Sequence, residues 1–195
     1  MQRICVYTGS NVGRHVEYQQ AAYALGRELT ARGLGLVYGG GRAGLMGVIA
    51  DSVFSAGGEV IGVMPRNLFP REIANLQVTK LYDVGSMHER KAMMTELSDG
   101  FIALPGGFGT FDEFFEMLTW AQLGIHHKPI GILNIAHYFD PLLSLIEHAV
   151  TEGFVKDEHA HMIITAENPG DLLDAFAAYT PVIRDTGKWE NIPEP

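Results

Sequence analysis

With 195 residues, 47% of them hydrophobic and 19% charged, the chain has the size and composition of one soluble globular domain with a continuous core. A formal charge of −9 argues against binding along a nucleic-acid backbone, which demands clustered lysine and arginine, yet it leaves room for small phosphorylated ligands. No apolar run reaches the length of a membrane span, the N-terminus does not read as a signal peptide, and a lone cysteine can form no internal disulfide, so a cytoplasmic protein is expected.

Apolar runs of strand length alternate with helical patterns from end to end. Arg3 to Tyr7, which contains Cys5, reads as the first strand and ends in a permissive loop, Gly9-Ser10-Asn11-Val12-Gly13. A helix over Tyr18 to Arg32 carries Ala21, Ala22, Leu25 and Leu29 on one face, and Gly33 ends it. Leu34 to Tyr38 is the second strand, followed by a helix from Leu45 to Ala56. Glu59 to Met64 makes a third strand, stopped by Pro65; Arg66 to Leu76 is irregular, and a short strand lies near Val78 to Tyr82. A charged helix over Ser86 to Ser98 precedes the strand Phe101 to Leu104. Then come a glycine turn, a helix from Thr110 to Leu123, and a strand over Pro129 to Leu133. A helix over Asp140 to Thr151, a strand over Met162 to Thr165 and a helix after Pro169 complete the pattern. Residues 1–180 form one domain in this reading, and residues 181–195 a polar tail. Continuous apolar strands separated by helices mean a parallel sheet covered on both faces, a doubly wound, Rossmann-like α/β domain. Ligands of such sheets bind outside the carboxyl ends of the strands.

The most informative stretch is Pro105 to Glu116, PGGFGTFDEFFE. Gly106, Gly107 and Gly109 let backbone approach a ligand without Cβ atoms in the way. The N–H groups of the helix that follows favour an anion. Glu113 and Glu116 lie one turn apart on one helix face. A phosphate cradle beside a carboxylate points to an enzyme acting on a phosphorylated substrate. Thr110-x-x-Glu113 is also the pattern of a capping box, in which the two side chains only satisfy orphan N–H groups at a helix start.

A second cluster, YGGGRAGLMG, contains Gly39-x-Gly41-x-x-Gly44 directly after a strand and so meets the dinucleotide fingerprint. The fingerprint also wants an acidic residue at the carboxyl end of the next strand. Glu59 stands at its start instead, and its end reads Val63-Met64-Pro65. The glycines either touch a nucleotide's phosphate or ribose, with Ser10, Gly41 and Gly44 as candidate contacts, or serve only tight packing. Met87 to Lys91, MHERK, puts Arg90 and Lys91 early in a helix, against its dipole; a local rule broken in this way marks either a functional site or a solvated basic patch. His159-x-His161 and His126-His127 lack companion ligands at metal spacing, so no metal is expected. Phe111, Phe114, Phe115 and Trp120 read as core, and Phe108 as a residue able to touch a base.

At PGGFGTFDE together with MHERK, the chain resembles the Lonely Guy (LOG) family of cytokinin riboside 5′-monophosphate phosphoribohydrolases, often labelled lysine decarboxylases. The signature P-G-G-x-G-T-x-x-E is met in full from Pro105 to Glu113. YGGGRAGLMG, the P-x-E-I element at Pro70 to Ile73 and TWAQLGIHHKPIG from Thr119 to Gly131 are also similar. The resemblance implies hydrolysis of the N-glycosidic bond of an adenosine-type 5′-monophosphate, without a cofactor, in a homodimer whose sites lie at the interface. It implies Arg90 and Glu113 as catalytic residues. Substrate contacts are implied at Glu72, Lys91, Gly107, Phe108, Gly109, Thr110, Phe111, Asp112 and Thr119. The same glycine loops look like those of molybdenum-cofactor carrier proteins, so a carrier or sensor of a phosphorylated ligand is the alternative.

Overall fold

The computed structural model describes residues 1–66 and 74–181. Seven strands form one sheet in the order β4-β3-β2-β1-β5-β6-β7: β1 (Arg3–Tyr7), β2 (Gly35–Tyr38), β3 (Val60–Pro65), β4 (Lys80–Val84), β5 (Gly100–Ala103), β6 (Ile130–Leu133) and β7 (Ile163–Ala166). Every neighbouring pair is parallel. Chain order reverses between β1 and β5, which are hydrogen-bonded neighbours with Tyr7 opposite Ala103. A sheet of this topology opens a crevice at that switch point.

The helices are α1 (Val16–Ala31), α2 (Gly44–Ser55), α3 (Met87–Glu96), α4 (Phe108–Gln122), α5 (Asp140–Thr151), α6 (Asp157–Ala160) and α7 (Pro169–Ala177). Alternate residues of β1 point to opposite faces, so the sheet separates two cores. Ile4 and Val6 meet Leu25, Leu29, Ile49, Val53, Leu172 and Phe176, from α1, α2 and α7. Cys5 and Tyr7 meet Phe101, Met94, Phe114 and Met117, with α3 and α4 above them. Burial on both faces explains why the central strands read as unbroken apolar runs.

Several elements differ from the sequence reading. α4 starts at Phe108 with Gly107 as its N-cap, and no side chain among the described residues caps it. Thr110 lies inside the first turn and is buried, as is Glu113, so the two do not form a capping box. β4 runs two residues later than expected, because pairing with β3 sets Ile61 opposite Lys80 and Pro65 opposite Val84. The short helix α6 and a 3-10 turn at Ile135–His137 were not anticipated. Most of the segment read as irregular, 67–73, and 182–195 of the expected tail lie outside the described residues. None of those described forms a helix long and apolar enough to cross a membrane.

Candidate active site

The glycine turn joins β5 to α4 at the carboxyl edge of the sheet. Gly9 N–H and the Thr8 hydroxyl both donate to the Pro105 carbonyl, each at 3.1 Å. Gly106 is required by packing, since a Cβ there would lie 2.1 Å from Thr110 Oγ1 and 2.9 Å from Gly9 N. Gly107 and Gly109 differ, because a Cβ at either would meet nothing within 4 Å. Their missing side chains leave the backbone bare on the outer side of the turn. First-turn amides of a helix have no intrahelical partner, so α4 presents its N-terminus uncapped beside that bare backbone.

The loop after β2 is organised differently. Leu45 and Met46, in the first turn of α2, donate to the Gly9 carbonyl at 3.1 and 3.4 Å. Gly44 has φ +61, and a Cβ there would sit 2.2 Å from the Ser10 carbonyl carbon. The N-terminus of α2 therefore serves the β1 loop through close backbone contact with Ser10. Gly41 forms an isolated bridge with Ala74. Glu59 pairs with Arg3 at 2.6 Å before β3 begins.

The conflict between Arg90, Lys91 and the dipole of α3 is compensated from α4. Ser86 caps α3 by accepting from Glu89 N–H at 3.1 Å, and Glu89 in turn accepts from Gly85 N–H at 2.6 Å. Arg90 Nη1 donates to Glu113 Oε1 at 2.8 Å, and its Nε donates to the Val63 carbonyl at 3.0 Å. Gly39 makes room for this guanidinium: a Cβ there would lie 2.1 Å from Arg90 Nη2. Lys91 Nζ bridges Asp112 at 3.2 Å and Glu116 at 3.0 Å. Glu113 and Glu116, a turn apart, thus each receive a separate cation.

Glu113 is only 7% exposed. Burial pushes its carboxyl above the ordinary glutamate range, against the pull of the Arg90 charge and hydrogen bond. Lys91 runs the other way. Burial disfavours its charge, but the Glu116 and Asp112 carboxylates hold it above the usual lysine range. The second oxygen of Glu116 is buried without a hydrogen-bond partner among the described residues. The arrangement combines anion-binding amides with a buried, partly neutralised carboxylate one turn further along the same helix. It can hold a phosphate and stabilise positive charge developing beside it.

Arg90, Lys91, Asp112, Glu113 and the turn Gly107 to Thr110 are brought together. Phe108 is 92% exposed at the head of α4, and Phe111 packs against the second core. Thr119 does not join them: it is exposed, and its hydroxyl donates to the Phe115 carbonyl at 2.8 Å. Glu72 lies outside the described residues. Sequence reasoning missed Gly39 as clearance for Arg90, and it missed Tyr138, whose hydroxyl donates to the Gly106 carbonyl. Among the described residues no cluster of three or more His, Cys, Asp or Glu side chains fits a metal ion.

The profile of a family described as "Possible lysine decarboxylase" matches residues 46–176. The cytokinin riboside 5′-monophosphate phosphoribohydrolase LOG of Oryza sativa subsp. japonica is 50% identical over 180 residues, 92% of this chain and 74% of that one. The Arabidopsis thaliana enzyme LOG1 is 50% identical over 180 residues, 92% of this chain and 84% of its own. Among solved structures, the molybdenum cofactor binding protein of Rippkaea orientalis superposes with TM-score 0.68 at 21% identity, covering 91% of this chain and 97% of its own. The molybdenum cofactor carrier protein of Chlamydomonas reinhardtii gives TM-score 0.68 at 19% identity, covering 91% and 96%. At such identities these two likenesses describe the fold alone.

Proposed function

Because the chain belongs to the LOG family of cytokinin riboside 5′-monophosphate phosphoribohydrolases, we propose that it hydrolyses the N-glycosidic bond of N6-substituted adenosine 5′-monophosphates, releasing the free base and ribose 5-phosphate. AMP is a further substrate in this reading. The observation that carries it is the pairing of Arg90 with the buried Glu113, about a turn and a half past the uncapped start of α4. Thr110 and Glu113 are about 5 Å apart along the helix axis, on the order of the reach from a 5′-phosphate to the anomeric carbon.

The amides of Gly107, Phe108, Gly109 and Thr110 hold the 5′-phosphate and fix the ribose over Glu113. As the bond from the anomeric carbon to the base nitrogen stretches, its electron pair leaves with the base and positive charge builds on the sugar. The Glu113 carboxylate stabilises that charge and accepts a proton from the water that attacks the anomeric carbon. The base takes up a proton from solvent, and the sugar keeps the new hydroxyl. Arg90 orients Glu113 and the substrate, while Lys91, steadied by Asp112 and Glu116, supplies a second positive charge beside the ribose. A non-catalytic carrier gives no work to a buried carboxylate hydrogen-bonded to a guanidinium.

The active unit in this reading is a cytoplasmic homodimer. Thr119 is six residues past Glu113, about 9 Å further along α4, on a face shared with exposed Phe115 and Leu123. A contact from Thr119 to substrate is natural across an interface, to the nucleotide of the second subunit. α5 supports an interface as well: none of its residues is buried, and Leu145 is 60% exposed. Glu72 contacts the substrate in the same scheme.

The test of the residue roles is Glu113→Ala. It should abolish base release while the protein still binds the monophosphate and melts cooperatively; an active Glu113→Ala enzyme would sink the mechanism. Sedimentation that finds a fully active monomer would refute the shared site.

A further inference from the structure

Tyr138 lies just beyond the end of β6, on a different element from every residue that resemblance or motif singles out. Its hydroxyl donates to the carbonyl of Gly106. That carbonyl and the N–H of Gly107 belong to one planar trans peptide and point in opposite directions. Fixing one therefore fixes the other. The peptide joins two glycines, the residue type with the freest backbone, and Gly107 has no Cβ and open space where one would be. Before it the chain is pinned by Gly9 and Thr8 on the Pro105 carbonyl, and after it α4 takes over. The Gly106–Gly107 unit is held from the side by Tyr138.

We propose that Tyr138 is a positioning residue of the phosphate cradle: by anchoring the Gly106 carbonyl it aims the Gly107 N–H outward, as the leading donor to the ligand's phosphate. The proposal rests on the 5′-phosphate reading of the turn.

A second observation comes from the chain that delivers Tyr138. Ala136 has φ 50 and ψ 36, and His137 has φ 58, two successive non-glycine residues in the left-handed region. The region is disfavoured for residues that carry a Cβ, and such conformations persist only where the surroundings over-determine them. Asn134 does so: its side-chain oxygen accepts from Phe139 N–H at 2.8 Å, and its amide group donates to Asp140 at 2.7 Å. The tyrosine ring is then fixed edge-on to Tyr18, with centroids 5.8 Å apart. It walls a crevice of about 190 Å³ together with the loop Gly9 to Gly13, Leu45 and the turn itself. Burial holds the Tyr138 hydroxyl above the ordinary tyrosine range, so it remains a protonated donor at neutral pH.

Tyr138→Phe keeps the ring and removes only the hydroxyl. Calorimetric titration of wild type and variant with ribose 5-phosphate and with ribose is the test. The wild type should bind ribose 5-phosphate well ahead of ribose. The variant should bind ribose 5-phosphate roughly threefold to tenfold more weakly with its response to ribose unchanged. In turnover the KM for the nucleotide should rise by that factor while kcat stays within about twofold, the pattern of lost uniform binding. Unchanged ribose 5-phosphate affinity in the variant, or a fall in kcat at constant KM, overturns the proposal and leaves the phosphate reading standing. A wild type that does not distinguish ribose 5-phosphate from ribose overturns the phosphate reading itself. One measurement needs no variant: the Gly107 amide resonance of the wild type must move when ribose 5-phosphate is added, and a stationary one refutes the assignment.

Discussion

Gly39→Ala changes one hydrogen for a methyl group at the end of β2, and the structure sets what that methyl must do. Its Cβ would lie 2.1 Å from Arg90 Nη2, where ordinary contact begins near 3.4 Å. Gly39 is not among the glycines at positive φ, so alanine brings no backbone strain and the effect is steric. The guanidinium must retreat by roughly 1.3 Å, whereas its bonds to Glu113 and the Val63 carbonyl are only 2.8 and 3.0 Å long. A displacement of that size is large beside the distance tolerance of either bond. Breaking a buried pair costs up to about 3–5 kcal/mol; a long arginine stem able to swing toward solvent lowers this to about 1–3 kcal/mol. For a chain of this size that corresponds to a fall in Tm of about 3–10 °C. A misplacement of about 1 Å at the reacting centre costs on the order of 10²-fold in rate. Gly39→Ala should thus melt a few degrees early and release base about 100-fold more slowly from the monophosphate. Adding Arg90→Ala should cost little more, because the two changes remove the same interaction. Wild-type turnover in Gly39→Ala, or a double variant that loses the product of both single effects, would refute the placement of Arg90 as the reason for this glycine.

Glu113→Gln should lose at least roughly 10³-fold in turnover yet melt no lower than wild type. Folding favours the neutral form of this buried side chain, and an amide oxygen still accepts from Arg90; a melting point many degrees lower would contradict that balance. In the wild type, kcat/KM should fall on acidification as the Glu113 carboxylate takes up its proton, with a midpoint above the ordinary 4.5, and an acid limb at or below that value would be against it. His126 is buried with Nε2 on the Met117 carbonyl, and burial, the leading cause, lowers its pKa from 6.5 to about 4. Its neutral ring contributes fully above 6.5. As pH falls through that window the unfolded chain takes up a proton that the folded one refuses, so stability is lost between about 6.5 and 4. His126→Gln should flatten the dependence of Tm on pH over this range, and parallel curves for variant and wild type would exclude His126 as its source.

The fold was legible because its strands are buried on both faces. β1 was read from Arg3 to Tyr7 as found, and Pro at N1 or N2 marks α5 and α7. β4 was misplaced because it is an edge strand of half-exposed residues, Lys80 to Tyr82 and Asp83, whose register comes from β3 and not from its own pattern. The start of α4 was misread because Thr110 suits a cap, whereas the cap is a glycine with no side chain to announce it. The dipole conflict at Arg90 and Lys91 pointed to the right helix. It could not say that the compensating acids, Asp112, Glu113 and Glu116, lie on α4. Gly39 sits among glycines that suggest a dinucleotide, and only the fold reveals that an arginine from α3 fills the space beside it. Tyr138 carried no signal, since its work depends on a left-handed turn at Ala136 and His137, residue types that do not advertise one.

In the proposed reaction this chain cleaves nucleotides at the glycosidic bond and requires the 5′-phosphate to do so. The direct measurement is chromatographic detection of free base after incubating the purified protein with isopentenyladenosine 5′-monophosphate, with AMP, and with unphosphorylated isopentenyladenosine. Release from the monophosphates, with stoichiometric ribose 5-phosphate and none from the riboside, is the predicted result. Equal release from the riboside would contradict the phosphate cradle, and no release from any of the three by a folded protein would contradict the assignment as a hydrolase.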